Sequence, residues 1–133
     1  MINVGVKRGT IKPTFTVKDS GKRRTFASGV VRDVSEGKTQ YHRVLEGPMF
    51  RRWADHLTKG AEKYPDNEDG SANWSKARNR PEYLRFKESA LRHFVAWYYG
   101  EHDEDHASGV FFNINGAEYV KTKSKRLSVC VFI

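Results

Sequence analysis

Cysteine is nearly absent from this chain, which has a single one, Cys130, among 133 residues. One thiol cannot form a disulfide within the chain, and the cysteine-rich zinc motifs need several such residues at close spacing. We therefore interpret Cys130 as a buried structural thiol and expect a reducing compartment.

Long hydrophobic runs are missing too. No apolar stretch approaches the roughly 18 residues of a membrane-spanning helix, and the first residues lack the basic-then-apolar order of a secretory signal. A chain of 133 residues is long enough for a core of several helices but short for two cores. The sequence therefore predicts a soluble, cytoplasmic protein without a membrane partner.

Well-known catalytic signatures are absent as well. There is no GxGxxG, Walker A, HExxH, zinc-finger or nucleophile-elbow pattern, and no internal repeat or low-complexity segment. Function must therefore be sought in local groups of side chains that can bind ligands or move protons.

Positive charge is what the chain has in excess, with 24 Lys and Arg against 16 Asp and Glu. The excess lies at the ends: residues 1–28 hold seven bases and one acid, and residues 119–133 hold four bases and no acid. Basic ends can bind nucleic acid, steer an anionic small molecule, or keep a protein soluble. All three interpretations stay open, and nucleic-acid binding by a basic arm is not the favoured one.

Three segments have helical periodicity. The first begins at Pro48, which suits a first turn, and is stopped by Pro65. Residues 81–100, ended by Gly100, and about 105–121 indicate two more helices. The apolar face of the first consists of Phe50, Trp53, Ala54, Leu57, Ala61 and Tyr64, and the packed side of the second is predicted to include Leu84, Leu91, Phe94, Val95 and Tyr98.

The segments outside the helices have weaker patterns. Residues 1–28 contain short β-like runs, such as residues 14–17, and indicate an extended arm or a small hairpin. Residues 29–47 have turn chemistry and are predicted to form an ordered loop. The partly alternating tail at 127–133 is expected to pair as a strand with the arm.

These patterns together predict a mainly α fold. We expect a compact helical domain at residues 26–121, preceded by a basic extended arm at 1–25 and followed by a strand-like tail at 122–133. The two terminal segments would provide a small β element.

One junction concentrates chemically capable side chains. His93 and His106 flank the acidic run at residues 101–105, and Asn113 shares a predicted helix face with His106. Carboxylates hold Mg²⁺ or Mn²⁺, while histidine can bind a borderline metal or carry a proton. A solvated charged loop and satisfied packing histidines are the competing interpretation.

Residues suited to a nucleotide are more scattered. Trp74 follows the polar stretch at 66–73, where an aromatic side chain favours a role in stacking on a base. Glu88 and Arg92, at i and i+4, can also simply pair on the helix surface. The candidates for phosphate binding are Arg32, Lys38, Lys63 and Arg92, and those for base binding are Tyr64, Trp74 and Asn113.

The order of several blocks carries a family resemblance. Gly60-Ala-Glu-Lys-Tyr64, Ser89-Ala-Leu-Arg-His93, Gly100-Glu101 and Asp103-Glu-Asp-His106 are its most specific parts. Over about residues 26–120 the chain resembles the phage-associated dATP/dGTP diphosphohydrolase N-terminal domain family.

That family is similar to the all-α, MazG-like nucleoside triphosphate pyrophosphatases. The resemblance implies a metal-dependent pyrophosphohydrolase that uses Mg²⁺ or Mn²⁺ to convert a purine deoxynucleoside triphosphate to monophosphate and pyrophosphate. It also implies a phage protein in the bacterial cytoplasm that assembles as a homo-oligomer, a dimer or a tetramer. In this hypothesis Glu62, Glu88, Asp105 and His106 hold the metal, and His93 or Glu104 orients or deprotonates the attacking water.

The chain departs from the MazG-like pattern in its third helix. His106 stands at the place of a Glu, Gly109 at that of an Asp, and Phe112-Asn113 replaces Trp-Asn. A glycine cannot bind metal, so the ligands must come from elsewhere. The alternative is a phage-type protein that binds or sequesters a nucleotide or cyclic nucleotide without chemistry.

Overall fold

The computed structural model describes residues 16–124 of the chain. The chain divides into two compact units, Met1–Thr39 and Gln40–Ile133. The tail strand predicted at residues 127–133 lies outside the described residues, as do Cys130 and most of the basic arm.

A small β-hairpin is the described part of the first unit. Strand β1 (Arg23–Thr25) pairs antiparallel with β2 (Val31–Asp33). The Phe26 amide donates to the Val30 carbonyl at 2.9 Å and closes the turn. The prediction of a loop over residues 29–47 is wrong here, because that segment contains β2 and a 3-10 turn at Tyr41–Leu45. A three-residue strand is too short to show the alternation by which strands are detected.

Three α-helices form most of the second unit and confirm the predicted mainly α fold. They are α1 (Met49–Lys63), α2 (Arg80–Tyr98) and α3 (His106–Lys123), with a 3-10 turn at Asn73–Lys76 before α2. Among the described residues, no helix combines the length and apolar character that crossing a membrane requires.

Local sequence determines where the helices begin and end. Pro48 precedes α1 with φ −88°. The Glu82 carboxylate accepts hydrogen bonds from the amides of Arg78 and Asn79, both at 2.7 Å, and so caps α2. Gly100 follows the C-cap of α2 and has φ +76°, a left-handed conformation that glycine commonly adopts where a helix ends.

Helices α2 and α3 pack closely because small residues lie between them. A Cβ at Gly116 would overlap the Phe86 ring. The buried apolar residues of the described chain are correspondingly small: Ala77, Ala96, Ala117 and Val120.

The predicted packed side of α2 is wrong. Leu91 is 65% exposed and Tyr98 71% exposed, and Leu84, Phe94 and Val95 are exposed as well. The side of α2 that contacts α3 carries instead Phe86, Ser89, His93 and Ala96, which include small and polar residues that a hydrophobic pattern does not identify.

Candidate functional site

A cavity of about 730 Å³ lies within the second unit, a volume in the range of small-molecule sites. Its walls come from α1, the segment between α1 and α2, and the facing sides of α2 and α3. Most of the predicted site residues line it, namely Lys63, Tyr64, Trp74, Arg92, His93, Glu104, Asp105 and Asn113. His106 lies in contact with His93, whereas Glu62 and Glu88 are exposed and lie outside the lining.

Two histidines meet at one end of the cavity. Nδ1 of His93 lies 3.0 Å from Nδ1 of His106, and Nε2 of His106 lies 2.7 Å from Oδ1 of Asp103. The Glu104 carboxylate is 3.8 Å from Nδ1 of His93. His106 is buried and the His93 side chain nearly so, while Asp103 and Glu104 reach solvent.

The glycine at position 109 makes this meeting possible. A Cβ at Gly109 would lie 2.7 Å from Cγ and 2.8 Å from Nδ1 of His93, closer than side chains approach. The imidazole of His93 therefore occupies the space in which a side chain at position 109 would lie. This gives a physical reason for the glycine that departs from the MazG-like pattern.

Burial and neighbouring groups shift the pKa values of His93 and Asp103. Burial lowers the pKa of His93, and the charges of His106 and Arg92 act in the same direction, opposed by Glu104. The hydrogen bond from His106 lowers the pKa of Asp103. An ionised Asp103 accepts a hydrogen bond from Nε2–H of His106, so the Nδ1 atom of His106 faces the Nδ1 atom of His93.

Arg52 and Asp105 join α1 to the start of α3. Nε and Nη2 of Arg52 donate to the two carboxylate oxygens of Asp105 at 2.9 and 2.6 Å. The same carboxylate accepts from the amide of Ser108 and caps α3. The Arg52 guanidinium holds the pKa of Asp105 far below its usual range. Asp105, predicted as a metal ligand, is thus already engaged in an ion pair.

Two groups of potential metal ligands occur within residues 16–124. His93, Glu104 and His106 form one, and Glu101, Asp103 and His106 the other, each with its ligand atoms within 4.8 Å of one another. Neither includes Glu62, Glu88 or Asp105, so the structure does not bring the four predicted ligands together. The roles of those residues stay predictions.

An aromatic wall faces the cavity from the other side. The Trp74 ring contacts Phe112 edge-on, with centroids 6.2 Å apart, and Tyr119 at 5.1 Å. Phe112 also contacts His56 at 5.4 Å. Trp74 therefore lies on the aromatic cluster of α3 and lines the cavity at the same time, while Tyr64 remains 55% exposed at the rim.

Three of the lining cations have no acidic partner among the described residues: Lys59, Lys63 and Arg92. Arg92 contacts the Ser89 hydroxyl at 3.4 Å, and Glu88 pairs with Arg85 at 3.6 Å instead of with Arg92. The other two predicted phosphate ligands belong to the first unit, where Lys38 pairs with Asp33 at 2.9 Å and Arg32 is exposed.

Sequence reasoning missed part of the α1 wall. Arg52 and His56 line the cavity together with Lys59 and Lys63. These positions recur at offsets of 4, 7 and 11 residues, so a polar helical stripe beside the apolar one was the available signal. Asn113, which was predicted, is buried and donates to the Gly109 carbonyl at 2.8 Å.

Comparison with known proteins identifies a family. The family described as dATP/dGTP diphosphohydrolase, N-terminal, matches residues 28–115, a range that contains the histidine pair, the lining cations, Trp74 and Phe112. No curated protein and no solved structure matches the chain. Because the matched range covers about two thirds of the sequence, the chain belongs to the dATP/dGTP diphosphohydrolase N-terminal domain family.

Proposed function

We propose that this protein is a metal-dependent pyrophosphohydrolase that converts a purine deoxynucleoside triphosphate to its monophosphate and pyrophosphate. The supporting observation is one cavity that combines a histidine–carboxylate group, an aromatic wall and three cations that have no acidic partner within residues 16–124. The histidine–carboxylate group suits the phosphate that reacts, and the cations suit the charge of the other phosphates. The aromatic wall suits the base of such a substrate. The family name adds support, since it specifies dATP and dGTP.

The metal would be held by His93, Glu104 and His106. These residues fit a divalent ion because their ligand atoms lie within 4.8 Å of one another and Asp103 holds His106 through its other ring nitrogen. Of Mg²⁺ and Mn²⁺, the donor set suits Mn²⁺ better, since Mg²⁺ takes oxygen ligands almost exclusively. When bound, such an ion supplies neutralisation of the charge that develops on phosphate oxygens.

The protein's own residues would accept the proton, neutralise the leaving group and hold the base. Water adds to the α-phosphorus, and the bond to the oxygen that bridges the α- and β-phosphorus breaks with its electron pair leaving on pyrophosphate. The carboxylate oxygen of Glu104 that does not hold the ion would take the proton of the water. Arg92, Lys59 and Lys63 neutralise the leaving pyrophosphate, and Trp74 with Phe112 provides the surface for the base.

Matched histidine variants test this assignment. His93→Gln and His106→Gln should each lower turnover of dATP or dGTP by about 100-fold or more, since they remove a ligand of the proposed ion. His102→Gln is the control, because His102 is exposed and belongs to neither ligand group. Glu104→Gln, a change at an exposed side chain, separates loss of chemistry from loss of fold. Full turnover in both His93 and His106 variants would refute the site.

We also propose that the protein is a homo-oligomer. The exposed apolar side of α2, formed by Leu91, Phe94, Trp97 and Tyr98, continues over about two helical turns. Contiguous aromatic surface of this kind marks an interaction face, and a second copy of the chain carries the same self-complementary surface.

A further inference from the structure

The β-hairpin of the first unit has two faces of opposite electrostatic character. Side chains alternate along a strand, so Arg23 and Asp33, which lie opposite each other, share one face. On that face Arg23 pairs with Asp19 at 2.7 Å and with Asp33 at 3.5 Å, and Lys38 pairs with Asp33 at 2.9 Å. This face is neutralised by its own acids.

The other face is cationic and unpaired. Arg24 lies directly opposite Arg32 in the strand register, and both are exposed. Neither has an acidic partner within ion-pair distance in the described part of the chain. Two like charges directly opposite each other destabilise a hairpin, and a bound anion would relieve this repulsion.

An exposed aromatic ring belongs to the same face. Phe26 is 43% exposed, and the Arg24 guanidinium lies over its ring at 4.6 Å from the centroid. A phosphate contact beside an exposed aromatic ring is the combination by which proteins hold single strands, where unpaired bases are free to stack.

The sequence around the hairpin adds long-range attraction. Residues 1–39 hold nine Lys and Arg against three acids, which is six of the chain's eight net positive charges. The three acids, Asp19, Asp33 and Glu36, all pair with cations other than Arg24 and Arg32. The local field therefore favours a polyanion over a neutral or acidic partner.

We propose that the face formed by Arg24, Phe26 and Arg32 binds the phosphodiester backbone of single-stranded nucleic acid, with Phe26 stacking on a base. This interaction is separate from the proposed hydrolysis and does not depend on it. A strand suits the flat hairpin face better than a free nucleotide does, because small ligands bind in concave sites and the cavity belongs to the second unit.

Fluorescence anisotropy of the full chain with a labelled oligothymidylate tests the proposal. The double variant Arg24→Gln/Arg32→Gln should weaken binding by about tenfold at low salt and reduce the slope of log affinity against log salt by about 1.4, the value for two lost phosphate contacts on a single strand. Phe26→Ala should weaken binding by about fivefold or more. Arg51→Gln/Arg85→Gln, which removes the same charge from exposed helix positions, should leave the affinity within about twofold of the unaltered protein.

Competing ligands distinguish the sources of phosphate. Oligouridylate should bind in the same range as oligothymidylate, because both present a phosphodiester backbone and stackable bases. Duplex DNA should bind more weakly, and dATP or dGTP should not displace the oligonucleotide. Absence of binding at low salt, unchanged affinity in the Arg24/Arg32 variant, equal affinity for duplex, or displacement by a nucleotide would each overturn the proposal. Turnover of dATP and dGTP is measured on the same samples. Failure of oligonucleotide binding is thereby distinguished from failure of the proposed hydrolysis.

Discussion

Gly109 is the residue on which the geometry of the site depends most closely. Its missing side chain leaves room for the His93 ring, which in turn reaches His106. Gly109→Ala should destabilise the protein by about 1 to 3 kcal/mol, because the added methyl forces the ring aside in a packed helix interface. Thermal unfolding measures the stability, and the same variant should lose turnover because His93 is displaced from His106.

Gly60→Ala is the matched control within a helix. A Cβ at Gly60 meets nothing within 4 Å, and the residue lies inside α1 with helical geometry. Alanine there should stabilise the protein by about 0.4 to 1 kcal/mol, chiefly by restricting the unfolded chain. Equal effects of the two substitutions would contradict the role given to Gly109.

Residues that share one helix face were predictable from the sequence, but contacts between helices were not. Periodicity places Arg52, His56, Lys59 and Lys63 on one stripe, and it predicts that Asn113 and His106 point the same way. The ion pair between Arg52 and Asp105 joins residues 53 positions apart, and no local pattern specifies it. For the same reason, the sequence does not explain why position 109, where the resemblance implies a metal ligand, is a glycine, whereas the structure places the His93 ring in that space.

The start of α2 is the helix end with the clearest electrostatic support. Backbone hydrogen bonds from Arg78 and Asn79 lower the pKa of Glu82. A carboxyl whose pKa is lowered by folding stabilises the protein above its ordinary pKa of about 4.3, and this contribution is lost as the pH falls through the lowered value. Glu82→Gln should therefore cost about 1 kcal/mol of stability at pH 7, and the difference from the unaltered protein should vanish in acid.

Denaturant unfolding at several pH values measures this effect. Glu118→Gln is the control, since among the described residues Glu118 pairs only with Lys121, at 2.7 Å on the surface of α3, and such a surface pair stabilises a helix weakly. A Glu82→Gln effect that persists unchanged at a pH at which Glu82 is protonated in the folded protein would show that packing, not the ionised cap, carries the contribution.

Helices whose ends are marked by proline or glycine were predicted well. Pro48, Pro65, Pro81 and Gly100 bracket α1 and α2 in the sequence, and the helices end within a few residues of them. The hairpin strands were not predicted at their observed place because each has three residues, and β1 carries two arginines that resemble a basic arm. The inward side of α2 was misassigned because it carries polar and small residues, His93, Ser89 and Ala96, which a hydrophobic pattern does not identify.

The exposed apolar side of α2 bears on the proposed assembly of several copies of the protein. Large apolar residues on α2 remain at the surface while four small ones are buried in the described chain. Leu91→Glu and Phe94→Glu should each convert the proposed oligomer to a smaller species, because a charge in an apolar interface is left without a partner. Sedimentation velocity measures the mass, and Thr58→Glu on the exposed side of α1 provides a control with the same added charge. A monomer of unaltered protein at every concentration would contradict the proposal.

The central claim is that the cavity hydrolyses a purine deoxynucleoside triphosphate at the α-phosphorus. Phosphorus NMR of the purified protein with dATP, dGTP and Mn²⁺ tests it most directly, because it identifies every phosphate product. The account predicts pyrophosphate and a deoxynucleoside monophosphate in equal amounts, with no reaction in the His106→Gln variant. Triphosphates that remain intact, or that release inorganic phosphate or triphosphate instead of pyrophosphate, would contradict it.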